Sequence, residues 1–337
     1  MPAEHVVRGR RWSVLVSRRA LLAAVALAVL LAVMVAASVS VGVTEVPLRA
    51  LWGAGTRGEV LLLQQIRLPR VVAGLLTGAA LGVAGCLTQT LARNRLATPD
   101  VVGVGEGAAF AVLLTLLGTS TGIIGAWWAG PLGAIGAATL VVLAAGGLGT
   151  HGQRFLVVGI GVSALLSSLV ELAMSTQNIA HATALYKWTI GSLTGRGYAG
   201  ATPLMLGLAL LLPLAALAGQ RLALLRFDAE LAQSLGLNVF RTRLAILAIA
   251  VVLAGLGVGV GGPIAFVALS APVIAGWLAG PQRVPVLGSA LAGAILVVTA
   301  DTLGRLLGGD IEIPAGVVSS VLGGPFLLWI LLRGERS

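Results

Sequence analysis

Three carboxylates, Glu106, Glu171 and Asp301, fall inside long apolar runs, where an ionisable group is costly and by default faces a cavity or a partner. A carboxylate so placed can carry a proton or line a polar passage. Glu171 also has Ser167, Ser168 and Ser175 within a helical turn as hydrogen-bond donors, so pathway lining and local bonding both remain open for it. Little other chemistry is on offer. His5, His151 and His181 are scattered without metal-ligand spacing, Cys86 stands alone in an apolar segment, and no nucleophile-base pair appears. The pattern G-x-x-x-x-G-K-[ST] is absent, and Gly103, Gly105 and Gly107 follow no strand, so they read as helix-packing positions. An enzyme is excluded on these residues, no metal or cofactor is expected, and any ATP hydrolysis must come from other polypeptides.

The elements that carry these residues are membrane spans. With 58% hydrophobic and 10% charged residues, 47 glycines in 337 residues and a mean hydropathy of +1.01, the chain is a polytopic membrane protein. Ten runs are long enough to cross a bilayer, near 20–43, 71–92, 101–119, 122–149, 155–175, 202–218, 243–261, 262–280, 284–304 and 315–333. The first follows Arg8, Arg10, Arg11, Arg18 and Arg19 but exceeds a signal-peptide core and precedes nine more, so it reads as a retained helix. An even count puts both termini on one side. Placing them inside leaves fifteen of the 22 Lys and Arg residues in cytoplasmic segments, the expected positive-inside bias. The net charge of +10 is therefore a topology signal, and nucleic acid is not an expected partner. Residues 1–19 form a cytoplasmic tail and 20–337 one transmembrane domain. The break at Gly257–Pro263 is so tight that this hairpin reads as either complete or re-entrant.

Gly74, Gly78 and Gly82, at four-residue spacing in the second span, are the small-residue stripe that lets helix backbones approach in lipid. Arg67 and Arg70 share a face at the outer start of that span and run against the charge bias. They read as snorkelling anchors or as contacts for an outside partner. The longest inner loop, about 219–243, carries a short amphipathic helix with Asp228 as its cap, Leu231 and Leu235 on one face and Gly236 at its end. It is either a solvated surface helix or a partner contact. Asn94, just past the inner end of the second span, reads as a C-cap or as part of a constriction.

Arg67-Leu68-Pro69-Arg70, Gly78-Ala79-Ala80-Leu81-Gly82, Gln89, Arg93-Asn94, Leu96-Ala97 and Pro99-Asp100 together closely resemble the iron-siderophore and cobalamin permeases of ABC importers, the FecCD family. Leu235-Gly236-Leu237-Asn238 is similar to the family's cytoplasmic LGV motif, and Gly262-Pro263-Ile264-Ala265-Phe266-Val267 to its G-x-I-x-F-V segment. Ala300-Asp301-Thr302, Arg305, Glu312-Ile313-Pro314-Ala315-Gly316 and Gly323-Gly324-Pro325 resemble its closing signature. The resemblance runs from about 67 to 326. It implies an all-α permease of the type II ABC importer fold, multi-pass in a bacterial cytoplasmic (inner) membrane, working by alternating access. The implied partners are a second permease subunit, two ATP-binding subunits and an extracytoplasmic substrate-binding protein, within membrane lipid. The implied substrate is a ferric siderophore, with haem or cobalamin as alternatives. A secondary transporter using Glu171 or Asp301 as a proton carrier is the reading from another class.

By the same resemblance Arg67, Arg70 and Arg305 dock the binding protein. Asp228, Glu230, Leu231, Leu235 and Gly236 couple to the ATPase, and Asn94 and Leu96 form the cytoplasmic gate, with Glu171 on the pathway. Two departures stand out. The family's Asn-Pro-Leu is here Asn94-Arg95-Leu96, and its Pro-His-x-x-Arg is Pro272-Val273-Ile274-Ala275-Gly276.

Overall fold

The structure is a computed structural model that describes residues 4–8, 13–42, 46–117, 126–147, 152–177, 182, 186–224, 229–234, 236–280, 284–308 and 312–334. An antiparallel hairpin of β1 (Glu4–Arg8) and β2 (Ser13–Ser17) occupies the segment that the sequence assigns to a tail. Ser17 then caps the first span by accepting the Ala20 N–H at 3.2 Å. That span, α1 (Arg18–Ser40), exposes Leu21, Leu22, Val25, Val29 and Val33, so its surroundings must be lipid.

The second span is longer than its apolar run suggests. A capping box at Thr56 and Glu59 starts α2 (Arg57–Leu61), which continues through a π turn over Leu62–Arg67 into α3 (Leu68–Ala92). The Leu68 N–H reaches back to the Leu63 carbonyl, and Pro69 has no N–H of its own to restore the tighter α spacing. The widened turn delivers Arg67 and Arg70 to the buried side.

Eight further helices follow to complete the crossings, with one short cytoplasmic helix between them. They are α4 (Val104–Leu117), α5 (Ala129–Ala145), α6 (Gly152–Ser175), α7 (Tyr198–Leu224), α8 (Ala229–Ser234), α9 (Val239–Gly261), α10 (Val267–Ala279), α11 (Val286–Leu307) and α12 (Ala315–Gly334). Apart from α8, each matches one expected span, so with α1 and α3 ten helices among the described residues correspond to the ten apolar runs. Among the described residues six are long and apolar enough to span alone. At ~1.5 Å per residue, helices such as the 14-residue α4 and 13-residue α10 fall short of a ~30 Å core. Their connections therefore lie within the bundle, where irregular backbone is tolerated only against protein or a cavity.

The α9–α10 break shows this directly. Helix α9 runs unbroken through Gly257 to Gly261, which packs on Thr77 halfway down α3. Gly262 (φ 73°) and Phe266 (φ 64°) turn the chain at that depth, so the hairpin closes inside the membrane rather than outside it.

Helix α3 is the axis of the bundle. Ala80, Val83, Ala84 and Leu87 are fully buried against Leu253 and Ala254 of α9 and Val297 of α11 in one core. The glycine stripe makes this possible. A Cβ at Gly78 would strike the Gly293 carbonyl of α11, and one at Gly82 the Ser289 carbonyl, whereas Gly74 faces Leu193. Two of the three positions thus carry the backbone approach read from their spacing.

Candidate functional site

At the outer face the three arginines converge, and all three are buried. Arg70 Nε donates to both oxygens of Asp301 (3.0 and 3.1 Å), Nη2 to Oδ1 (2.9 Å), and Nη1 to Oε1 and Oε2 of Glu312 (3.0 and 2.9 Å). Arg305 Nε lies 3.3 Å from Asp301 Oδ2, an ion-pair contact off the hydrogen-bond line, while its Nη2 donates to the Ser38 carbonyl (3.0 Å) and hydroxyl (2.7 Å). Arg67 Nη1 donates to the carbonyls of Val39 (2.9 Å) and Ser40 (3.0 Å) at the end of α1. These cations are therefore committed within the chain. Asp301 pairs with Arg305 one helical turn on, but takes its hydrogen bonds from Arg70.

Glu312 is the outward-facing member of this network, with 43% of its side chain exposed. It also accepts from the Thr194 hydroxyl at 2.8 Å. Burial works against its charge, but Arg70 and Thr194 outweigh that and hold the carboxyl below its usual range. Arg196, buried on the same side, is pulled down to about 10 by desolvation. Neither Glu312 nor Thr194 was singled out from sequence. Glu312 carried a signal only as part of the closing motif.

A cavity of about 530 Å3 lies at the depth of the α9–α10 break. Its wall takes Glu106 from α4, Ser167 and Glu171 from α6, Tyr186, Pro263, and Val317 and Ser320 from α12. Glu171 thus lines the cavity, and the Ser175 hydroxyl donates to the Leu172 carbonyl at 2.8 Å. Glu106 joins it there. Sequence flagged Glu106 as an intramembrane carboxylate without pairing it to Glu171, because nothing in the spacing relates α4 to α6.

A second cavity, about 600 Å3, opens where α1, α3, α10 and α11 have their cytoplasmic ends. Arg93 ends α3 in the left-handed region (φ 51°), so it and not Asn94 is the C-cap. Asn94 Oδ1 instead accepts the Leu96 N–H at 2.9 Å, which fixes the turn that leaves Leu96 partly exposed. Asn94 lines this cavity and Leu96 stands beside it in the chain. In the inner loop, Glu230 falls within α8, Leu231 is 49% exposed, and Gly236 (φ 84°) ends the helix by donating to the Gln233 carbonyl at 2.9 Å. Asp228 and Leu235 lie outside the described residues.

Apolar helices packed around an axial α3, with ordered sites at both mouths and a cavity between, are a translocator's geometry. Residues 25–333 match the FecCD transport family. The chain belongs to that family. It is 37% identical over 289 residues to the achromobactin transport system permease protein of Dickeya dadantii, covering 85% of this chain and 83% of that one. It is 34% identical over 327 residues to the ferric enterobactin transport system permease protein of Escherichia coli, covering 96% and 99%. A solved inward-facing metal-chelate type ABC transporter superposes with a TM-score of 0.78 at 25% identity, over 93% of this chain and 99% of that one. This FecCD chain is accordingly a multi-pass transport permease and not an enzyme. The family assignment also removes the proton-coupled alternative. Both departures from the family pattern meet in one place, since Arg95, Val273 and Gly276 all line the cytoplasmic cavity.

Proposed function

We propose that this permease is one subunit of an ATP-driven importer of ferric siderophores in a bacterial cytoplasmic membrane. It pairs with a second, similar or identical permease, two separate ATP-binding subunits and an extracytoplasmic binding protein. The observation that carries the reading is the mid-membrane cavity between α4, α6 and α12. Its neighbours on α6 and α12, such as Ile160, Leu165 and Val321, are exposed apolar side chains, as expected if a second permease completes the pathway there. The substrate class rests on the siderophore names of the two relatives.

In this reading residues 20–337 act as one transmembrane domain, and the binding protein docks on the rim that Arg67, Arg70 and Arg305 hold in shape. Arg70 meets a partner carboxylate by exchanging it for the half-exposed Glu312. The segment with Asp228, Glu230, Leu231, Leu235 and Gly236 seats on the ATPase, Asn94 and Leu96 narrow the inner mouth, and Glu171 lines the passage. The test is reconstitution of the full complex in proteoliposomes with binding protein outside and ATP inside. Uptake of a ferric siderophore should require hydrolysable ATP and survive a protonophore. Uptake without ATP under a pH gradient would refute it, and preferred uptake of haem or cobalamin would reassign the substrate.

A further inference from the structure

The cytoplasmic cavity has features that a gate alone does not need. Three guanidinium groups from separate segments line it, Arg19 at the start of α1, Arg93 at the C-cap of α3 and Arg95 in the turn beyond. None of the described residues lining it is acidic; the other polar ones are Gln89, Thr90 and Asn94. Arg19 is fixed in place, because its Nε donates to the Leu278 carbonyl (2.9 Å) and its Nη2 to the Trp277 carbonyl (2.8 Å) at the end of α10. Arg93 holds a left-handed backbone conformation that L side chains rarely adopt.

Arg19 brings the start of α1 to this basic cavity, and only 6% of the most apolar stretch of that helix is buried. A ligand there has hydrocarbon beside it. The other flank carries Trp277, which meets Trp329 edge-on at 5.0 Å and Phe326 at 5.8 Å, with both indoles partly exposed. Such rings sit at the headgroup level of a bilayer. Clustered cations, an aromatic belt and a bare apolar helix at the cytoplasmic leaflet together describe a lipid headgroup site. We infer that this cavity binds the headgroup of an anionic phospholipid, its phosphate held by Arg93 and Arg95 beside Arg19 and its acyl chains lying along α1.

The test is native mass spectrometry of the full complex purified in mild detergent, with phosphatidylglycerol and phosphatidylcholine as competing probes. The wild type should retain phosphatidylglycerol selectively, and Arg93→Gln with Arg95→Gln should lower that retention about thirtyfold, at roughly fivefold per guanidinium near an anionic surface. Arg95→Lys should keep it. Gly276 lines the cavity with open space where a Cβ would sit, so Gly276→Glu projects a carboxylate into the site without crowding and should abolish selectivity. Equal retention by wild type, the double variant and Gly276→Glu overturns the inference. So does displacement of the lipid by millimolar inorganic phosphate, which would mark a small-anion site. Because the readout is bound lipid, it is independent of what the importer carries.

Discussion

Asp301→Asn is the sharpest perturbation of the outer network. The side chain is 3% exposed and takes three hydrogen bonds from Arg70 at 2.9 to 3.1 Å, with Arg305 Nε 3.3 Å away. A unit charge pair at ~3 Å attracts by about 5.5 kcal/mol at an effective dielectric constant of ~20. Losing one partner of a buried pair costs about 3–5 kcal/mol, because the other charge is left without compensation. Asparagine keeps the volume and one acceptor oxygen but turns its amide donors toward two guanidinium groups. We expect a loss of about 3 kcal/mol, read as a lower unfolding temperature of the purified permease and as new protease sensitivity near 308–314. Arg70→Met with Asp301→Leu, which removes the inner pair together, should restore much of it, since apolar replacement of a buried pair is often close to neutral. A single Asp301→Asn variant within about 1 kcal/mol of wild type would show that the carboxylate does not hold the outer rim.

The remaining expectations are narrower. Gly78→Leu should abolish folded protein, since even a Cβ meets the Gly293 carbonyl, whereas Gly136→Ala on α5, with nothing within 4 Å, should be neutral or stabilising by up to about 1 kcal/mol; equal expression of the two would break the packing argument. Glu312, whose folded pKa lies below its unfolded value, stabilises the rim above about pH 4.3 and loses that contribution as pH falls through the lower folded value. Hydrogen exchange of the segment after Glu312 should therefore stay flat from pH 8 to about 5 after correction for intrinsic rates and rise only in stronger acid, and a transition near neutrality would point to another group. Leu231→Asp should uncouple or release the ATPase while leaving binding-protein affinity intact, and normal ATPase co-purification with normal transport would remove α8 from the coupling role.

What was legible in the sequence followed local rules. Each of the ten apolar runs coincides with a helix of the described residues, six of them long enough to span alone, and the glycine stripe marked the helix that others pack against, because both depend on residues close in the chain. Asp301 and Arg305, four residues apart, were readable as a pair for the same reason. The partner that takes most of Asp301's hydrogen bonds is Arg70, 231 residues away, and no local spacing encodes it. Reading the outer arginines as partner contacts rested on the charge bias and on the family resemblance, and neither encodes their burial. The charge rule concerns translocation of a segment, and the π turn that swings Arg67 inward lies beyond it. That Glu106 and Glu171 share one cavity escaped likewise, since it depends on how α4 packs on α6. Short helices were overestimated because apolar loops inside a bundle have the composition of a span.

The outer arginines also explain how α1 stays attached. This helix buries little surface, so apolar packing contributes little to holding it, and lipid gives no hydrophobic reason to associate. Its last turn, however, carries carbonyls with no helical partner and the negative end of the helix dipole. Arg67 and Arg305 donate to the carbonyls of Val39, Ser40 and Ser38, and at the opposite membrane face Arg19 of α1 donates to the final carbonyls of α10. Both ends of the helix are therefore pinned by guanidinium groups on helix C-termini. Among the described residues of the outer cluster, Asp301 and Glu312 supply the carboxylates, and the α1 carbonyls add further negative potential. The arginines at the outer rim thus have a reason to run against the positive-inside bias before any partner arrives, and Glu312 is the member of their network through which one can reach it.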